Sequence, residues 1–310
     1  MGHERQTMIY NVHGPMFEQL AEPPWPVSAD IVIVRDHYDP VLLDRFLQQR
    51  PPQICLQSFY AYGSPLAFPV TWVPIFLKQV TEQMNRCAMP VNPDTQACFG
   101  FMIFKNRDLR TMAVEEIEQA GLTTDYYTLY LDPHMQGRFQ HQHRHYPSRG
   151  PYHPSITYEN NWQDFLQDRV FAPTAVNLIV ETLEEAWGPA ISFTEKSLFS
   201  VYGLCLPIWL GGHRQAETWQ SLGFDVFADV IDHSYQYETD ARTSMRRALA
   251  DNHRILTDIK YAATIRQSCM SRLVANRDRL QSRPFGAMLI DLVAARYPDR
   301  VEEIRKHFRL

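Results

Sequence analysis

The alternation of short apolar runs with helical patches is the feature that most constrains the fold of this chain. "ADIVIVRD", residues 29–36, carries a nearly continuous run of Ile and Val, which is typical of a buried parallel strand. "PVLLDRFLQQR" follows with the spacing of an amphipathic helix, and "QICLQSF" predicts the next strand. An earlier strand is predicted in "TMIYNVHG". Strand, helix and strand at this spacing indicate βαβ units and a right-handed parallel sheet.

The second half of the chain repeats this alternation. "CFGFMIF" predicts a strand, "LRTMAVEEIEQAG" predicts a helix closed by Gly121, and "YYTLYL" predicts another strand. Further on, "VNLIVET" and "PIWLGG" predict buried strands on either side of a buried helix. We therefore expect an α/β protein with two doubly wound, Rossmann-like domains. In such folds ligands bind outside the carboxyl ends of the strands.

The domain boundaries follow from turn-forming residues. "MPVNPDTQ", residues 89–96, is the candidate linker, so the predicted domains are residues 1–95 and 96–285. Residues 286–310 are predicted to form a C-terminal helix that crosses back to the first domain. From Thr243 to about Asn276 apolar residues recur near helical spacing, which predicts a long helix, or two, with arginines on the other face.

Composition excludes a membrane-spanning protein. Of 310 residues, 45% are hydrophobic and 21% charged, as in soluble globular proteins. The longest apolar run, 198–210, contains Gly203 and Pro207 and is shorter than a membrane span. Five scattered cysteines without a C-x-x-C pair indicate reduced thiols. We expect a cytoplasmic location, in the host cytoplasm if the protein is viral.

Charge is distributed unevenly along the chain. Residues 242–283 contain ten Lys and Arg against three Asp and Glu, a net charge of +7, which leaves −12 for the rest of a chain whose total is −5. A basic surface of this kind favours an anionic partner. The alternative is a solvated helix face, because a charge count along the sequence does not place side chains in space.

A Thr-Glu-Lys triplet, Thr194 to Lys196, opens the predicted buried helix. Ser192-x-x-Glu195 fits a capping box, with Thr194 as an alternative N-cap, so Glu195 has a purely structural explanation. Lys196 does not, because a cation in the first turn opposes the helix dipole unless an anion lies there. A Glu holding ribose hydroxyls and a Lys neutralising a diphosphate would form a nucleotide site. Glu181 ends a predicted strand, where it either faces a cleft or simply begins a loop.

Three segments carry a resemblance to a known family. "VNLIVETLEEAWGPAISFTEKSLFSVYGLCLPIWLGG" resembles the donor-binding segment of fucosyltransferase-type enzymes of the GT-B fold. "LGFDVFADVIDHSYQYETDARTSMRR" is similar to a tail found in related bacterial and phage-encoded glycosyltransferases. "FKNRDLRTMAVEEIEQAGLTTDYYTL" resembles the strand-to-helix turn whose basic residues contact the donor diphosphate. The three matches occur in the order of the family and together cover residues 99–247.

The resemblance implies a GT-B glycosyltransferase that uses a nucleotide-sugar donor, linked to UDP or GDP, and requires no metal. The implied donor-binding residues are Asn106, Arg107, Arg110, Thr194, Glu195 and Lys196. Arg107 and Arg110 would contact the diphosphate together with Lys196, while Glu195 holds the ribose. Glu181 would lie at the sugar or the reacting centre.

The first domain departs from the family in one respect. Where fucosyltransferases carry a candidate general base in an Asn-Phe-Glu-Ser-Pro stretch, this chain reads "QSFYAYGSP" and has Tyr60 in place of the Glu. A phenol with a pKa near 10 is a poor base at neutral pH. Asp36 or His37, at the end of a predicted strand, is the alternative catalytic base, unless the mechanism needs no strong base.

A loop-like segment, residues 133–154, contains five His and three Arg. His141, His143 and His145 alternate, so an extended strand would place them on one face. A zinc site needs three or four ligands in a defined geometry, and we predict no metal here. The alternatives are contact with phosphate or acceptor and an ordinary solvated loop.

The resemblance thus implies sugar transfer to a hydroxyl acceptor. One candidate acceptor is a 5-hydroxymethylpyrimidine in double-stranded DNA, as in DNA modification by phages, because the basic segment favours a polyanion. A glycan or small molecule is the other acceptor. A catalytically inactive nucleic-acid-binding protein is the competing hypothesis from another class.

Overall fold

The computed structural model describes residues 8–12, 22–34, 40–57, 70–86, 94–103, 108–122, 126–130, 171–181, 193–282 and 285–308. The strands are β1 (Ile9–Val12), β2 (Ile31–Val34), β3 (Ile54–Gln57), β4 (Val70–Trp72), β5 (Ala97–Ile103), β6 (Tyr126–Tyr130), β7 (Thr174–Ile179) and β8 (Leu206–Trp209).

The helices of the first part of the chain are α1 (Pro40–Gln49), α2 (Ile75–Met84), α3 (Asp108–Gln119), α4 (Glu195–Tyr202) and α5 (Gln215–Ser221). The remaining helices are α6 (Ala241–Asp251), α7 (His253–Thr257), α8 (Ile259–Ser268), α9 (Met270–Ser282), α10 (Phe285–Arg296) and α11 (Val301–Phe308). Short 3₁₀ turns span Ser234–Tyr237 and Pro298–Arg300.

Contacts divide the chain into two units. The first comprises Met1–Gln79, Pro189–Ile191 and Arg283–Leu310, and the second comprises Val80–Gly188 and Ser192–Ser282. Each unit contains a four-stranded sheet in which all pairings are parallel. The predicted α/β class is therefore confirmed.

The first sheet has the order β1-β2-β3-β4. All four residues of β2 are buried, as its unbroken Ile-Val run predicts for a strand covered on both faces. One face packs against Phe46 and Leu47 of α1. The other packs against Leu289 and Val293 of α10 and Phe308 of α11. The first sheet is thus covered by helices from both ends of the chain.

The second sheet has the order β6-β5-β7-β8. The six residues of β7 and the four of β8 are all buried. The core extends from Phe99 and Leu178 of the sheet to Leu109 of α3 and to Met245 and Leu256 of the later helices. Gly121 closes α3 with a φ of 70°, as predicted for a helix C-terminus.

The stretch predicted as one long helix, or two, consists of four helices, α6 to α9. Asn252 separates α6 from α7, and Cys269 separates α8 from α9. Asp258 is the N-cap of α8 and accepts hydrogen bonds from the N–H groups of Lys260 and Tyr261. Local capping therefore interrupts a helical periodicity that continues across the breaks.

No helix in the described part of the chain combines the length and apolar character needed to cross a membrane.

Candidate functional site

The second sheet contains a switch point, whereas the described strands of the first sheet follow chain order. From β5 the chain goes to β6 on one side of the sheet and then to β7 on the other. In open α/β sheets, ligands bind at the carboxyl ends of the two strands where the order reverses. Glu181 lies two residues beyond the end of β7, at this edge. Glu181 therefore lies at the edge where this topology favours ligand binding.

The carboxylate of Glu181 is held at the N-terminus of α4. Its Oε1 accepts hydrogen bonds from the N–H of Thr194 at 3.1 Å and from Oγ of Ser197 at 2.6 Å. Its Oε2 accepts a short hydrogen bond from Oγ1 of Thr194. Only 5% of Glu181 is exposed. A carboxylate beside free N–H groups at a helix N-terminus is favourable for the helix dipole.

Glu195 and Lys196 form a buried ion pair beside this carboxylate. Nζ of Lys196 lies 2.7 Å from Oε1 of Glu195, and the two side chains are 6% and 7% exposed, respectively. The same Nζ donates to Oγ1 of Thr194 at 3.2 Å. Thr194 is the N-cap of α4 and accepts from the N–H of Lys196. The anion that Lys196 requires at this helix end is supplied by carboxylates of the chain itself.

Residues that sequence reasoning did not single out hold the cluster in place. Nε1 of Trp209, on β8, donates to Oγ of Ser197 at 2.9 Å. Asn177, on β7, donates to the carbonyl of Lys196 at 3.1 Å and to Oγ of Ser200 at 2.8 Å. Asn177 interrupts an apolar strand, and a buried amide in such a strand signals a specific partner. Ser197 carries the weaker signal of lying one helical turn after Thr194.

Burial raises the pKa of Glu181, against the opposing effects of Lys196 and of the hydrogen bonds from Ser197 and Thr194. A carboxyl group with a raised pKa at the edge of a sheet suits proton transfer or the holding of hydroxyl groups. Glu181, Glu195 and Lys196 together bring two acids and one base into a buried cluster. Such a cluster can hold polar parts of a ligand that has lost its water.

The other predicted site residues are placed as follows. Arg110 lies in the first turns of α3 and is 2% exposed. A methyl group added at Gly211, just beyond β8, would lie 3.7 Å from a Cδ atom of Leu109, the neighbour of Arg110, so the start of α3 lies near the same edge of the sheet. Asp36, His37, Asn106 and Arg107 lie outside the described residues, as do Tyr60, Ser192 and the His-rich segment 133–154.

The basic segment is largely neutralised by acids from other elements. Arg242 and Arg246 both pair with the buried Glu116 of α3, at 2.6 Å and 2.7 Å. Arg272 pairs with Asp225 at 2.5 Å and with Asp229 at 2.8 Å. The segment is therefore neither a free basic surface nor a purely solvated helix face. The count of +7 along the sequence therefore overstates the positive charge that this segment presents.

Comparison with protein-family models and with curated proteins finds no match to this chain.

Proposed function

We propose that the protein is a glycosyltransferase of the GT-B type that binds a nucleotide-sugar donor at the carboxyl edge of the second sheet. The observation that carries the proposal is the buried cluster of Glu181, Glu195 and Lys196 at the switch point of that sheet. Buried ionisable groups concentrate at functional sites, because their desolvation is costly unless a ligand or a partner compensates it.

The roles in this proposal follow the chemistry of each group. Glu195 accepts hydrogen bonds from ribose hydroxyls, and Lys196 turns toward the diphosphate once a donor replaces its present partner. Arg110 adds positive charge from α3. Glu181 fixes the start of α4 and faces the sugar. The transfer joins the acceptor oxygen to the anomeric carbon, breaks the bond to the diphosphate, and releases the acceptor proton to a base.

A thermal-shift panel tests donor binding. UDP, GDP, CMP and their sugars are each added to the purified protein, since a ligand that binds only the native state raises the melting temperature. One nucleoside diphosphate and its sugar should raise it, while Glu195→Gln should weaken that shift. Because the variant leaves the buried Lys196 without its carboxylate partner, each shift is measured against the variant's own melting temperature. No shift with any nucleotide would contradict the proposal.

The acceptor is proposed as a hydroxyl group, and two classes are compared directly. The protein is incubated with mixed nucleotide sugars and with DNA containing 5-hydroxymethylcytosine or 5-hydroxymethyluracil, and the digested nucleosides are weighed by mass spectrometry. Added hexose or pentose mass identifies DNA as the acceptor. Donor hydrolysis without added mass assigns the acceptor to glycans or small molecules. DNA binding without any donor binding would favour the inactive nucleic-acid-binding alternative.

A further inference from the structure

A polar cavity lies in the second unit among residues 228–233, 251–252, 254–255 and Tyr261, and its volume is about 500 Å³. We call it the α6–α7 cavity. None of its lining residues belongs to the cluster around Glu181. The proposed donor site therefore leaves this cavity without a role.

One wall of the cavity carries hydrogen-bond donors. The guanidinium of Arg254 lies over the ring of Tyr261, 3.9 Å from its centroid. Within the described residues the guanidinium of Arg254 forms this stack and no ion pair. The neighbouring Arg247 and Arg272, by contrast, pair with carboxylates. Stacking orients the planar group. The N–H donors of Arg254 thus remain for a ligand or for water.

Three carboxylates also line the cavity, Asp229, Asp232 and Asp251. Asp229 and Asp251 are paired with Arg272 and Arg247, so within the described residues Asp232 is the acid of the lining that forms no ion pair. Asp232 is held by the buried amide of Asn252, whose Oδ1 accepts from the Asp232 N–H at 2.9 Å and whose Nδ2 donates to its carbonyl at 2.9 Å. Ionised carboxylates accept hydrogen bonds and donate none. The cavity thus places acceptors and donors on a fixed backbone.

We propose that the α6–α7 cavity binds a polyhydroxylated ligand, such as a monosaccharide unit. A hydroxyl group both donates and accepts, so one sugar can donate to the carboxylates and accept from Arg254. Asp229 and Asp251 are already paired with Arg272 and Arg247, so the lining offers a phosphate or carboxylate no net positive charge, and Asp232 would repel it. An amine would be repelled by Arg254. Neutral hydroxyl groups match both walls.

A chain of contacts connects the cavity to the cluster described above. His233 lines the cavity, and its ring centroid lies 5.8 Å from that of Trp209. Nε1 of Trp209 donates to Oγ of Ser197, which donates to Glu181. Burial lowers the pKa of His233, which favours the neutral ring. Binding in the cavity itself requires none of the activity proposed for the donor site.

Saturation-transfer NMR measures binding directly. The probes are D-glucose, D-galactose and N-acetyl-D-glucosamine, with spermidine and inorganic phosphate as charged comparators. At least one sugar should bind the wild-type protein. Arg254→Gln and Asp232→Asn should each weaken that sugar by about tenfold, the effect of losing a hydrogen bond to a charged group. Lys260→Gln removes an exposed cation of α8 outside the cavity and should leave binding unchanged.

The melting temperature of each variant is measured alongside. Loss of sugar binding in a variant that keeps the wild-type melting temperature supports the proposal. Absence of binding by every sugar to the wild-type protein overturns it. Spermidine or phosphate binding that depends on Arg254 or Asp232, with no sugar binding, overturns it as well. Equal weakening by Lys260→Gln would also contradict it. Because no outcome depends on turnover, failure here is distinguishable from failure of the proposed transferase.

Discussion

The two ends of α4 are both closed by a buried charged side chain, but they differ in what surrounds that charge. At the N-terminus the carboxylate of Glu181 accepts from Thr194 and Ser197. At the C-terminus the guanidinium of Arg266 donates to the carbonyls of Gly203 at 3.0 Å and Leu204 at 2.9 Å. Each charge has the sign that the helix dipole favours at its end.

The difference lies in the neighbours. Arg266 is 1% exposed and also donates to the carbonyl of Ala172 at 2.7 Å and to Oγ1 of Thr95. Its hydrogen bonds join α4 to segments of the chain far from it in sequence, and they are directed to main-chain carbonyls and a hydroxyl. Glu181 instead lies beside another acid and a base. The hydrogen bonds of Arg266 at the C-terminus of α4, here called the clasp, therefore serve the structure. The N-terminus of α4 instead carries titratable groups of the kind that catalysis uses.

The largest effect is expected at the clasp. Arg266→Met removes the donors to three main-chain carbonyls, and each buried acceptor left unpaired costs about 1–3 kcal/mol. We therefore expect the free energy of unfolding to fall by about 3 kcal/mol or more, measured by urea denaturation. Arg305→Met is the matched control, because Arg305 forms a surface pair with Glu302. A similar loss in both variants would show that Arg266 is not a special clasp.

The next effect, at the other end, is on ligand binding. Lys196→Ala also lowers stability, because it leaves the buried carboxylate of Glu195 without its partner, so affinities are compared where the variant is folded. Lys196→Ala should weaken a nucleoside diphosphate by about tenfold, because a charge-assisted contact to phosphate is lost. The affinity for the corresponding nucleoside should change little. Calorimetric titration of both ligands separates the two cases, with Lys260→Ala as the control. Equal losses for both ligands would remove the diphosphate role and leave Lys196 a partner of Glu195.

The effect of Glu181→Gln on folding stability should depend on pH. Because burial raises the pKa of Glu181 above its ordinary value of 4.5, the folded state binds a proton more tightly than the unfolded state. The stability that the group contributes is then fully present below pH 4.5 and declines as the pH rises through the folded pKa. The wild type should therefore exceed the variant in stability by the most near the acidic limit. There the advantage is about 1 kcal/mol, from the altered hydrogen bonds.

Denaturation curves of both proteins across the pH range measure this difference. If the stability advantage of the wild type over Glu181→Gln instead grows as the pH rises, the carboxylate is stabilised in its ionised form. The opposing influence of Lys196 and the hydrogen bonds would then outweigh burial.

The smallest effect on folding is expected from exposed arginines. Arg246 is 57% and Arg247 44% exposed, and exposed ion pairs contribute little. The buried Glu116, a partner of Arg246, keeps its contact with Arg242 when Arg246 is replaced. Replacing both by Ala should leave the melting temperature nearly unchanged. If DNA is the acceptor, the slope of log affinity against log salt should fall by about one to two, since each lost phosphate contact removes about one. An unchanged slope would show that these arginines serve Glu116 and Glu238 rather than DNA.

Much of the sheet architecture could be predicted because buried parallel strands leave a local signal. The Ile-Val run of β2 and the apolar runs around β5 and β7 are of this kind. The strand β4 has three residues, too few for a periodicity, and no strand was predicted there. The breaks at Asn252 and Cys269 were also missed, because the apolar spacing continues through them.

The candidate site was predictable only in part. Glu181 and the triplet from Thr194 to Lys196 were singled out by their positions at a strand end and a helix start, and the structure places them together. Trp209 and Arg266 contribute through partners far away in the sequence. No local pattern encodes such contacts. The same limitation applies to the basic segment, whose counter-ions come from α3 and from residues 225–229.

The packing of α10 and α11 on the first sheet has a consequence for the order of events during synthesis. Ile31, Ile33 and Ile54 emerge from the ribosome more than two hundred residues before Leu289 and Phe308, which cover them. Among the described residues, the contacts that complete this unit are therefore the most non-local, and contacts of that kind form slowly. Until the last helices arrive, one apolar face of the sheet stays open to water, to chaperones and to other nascent chains.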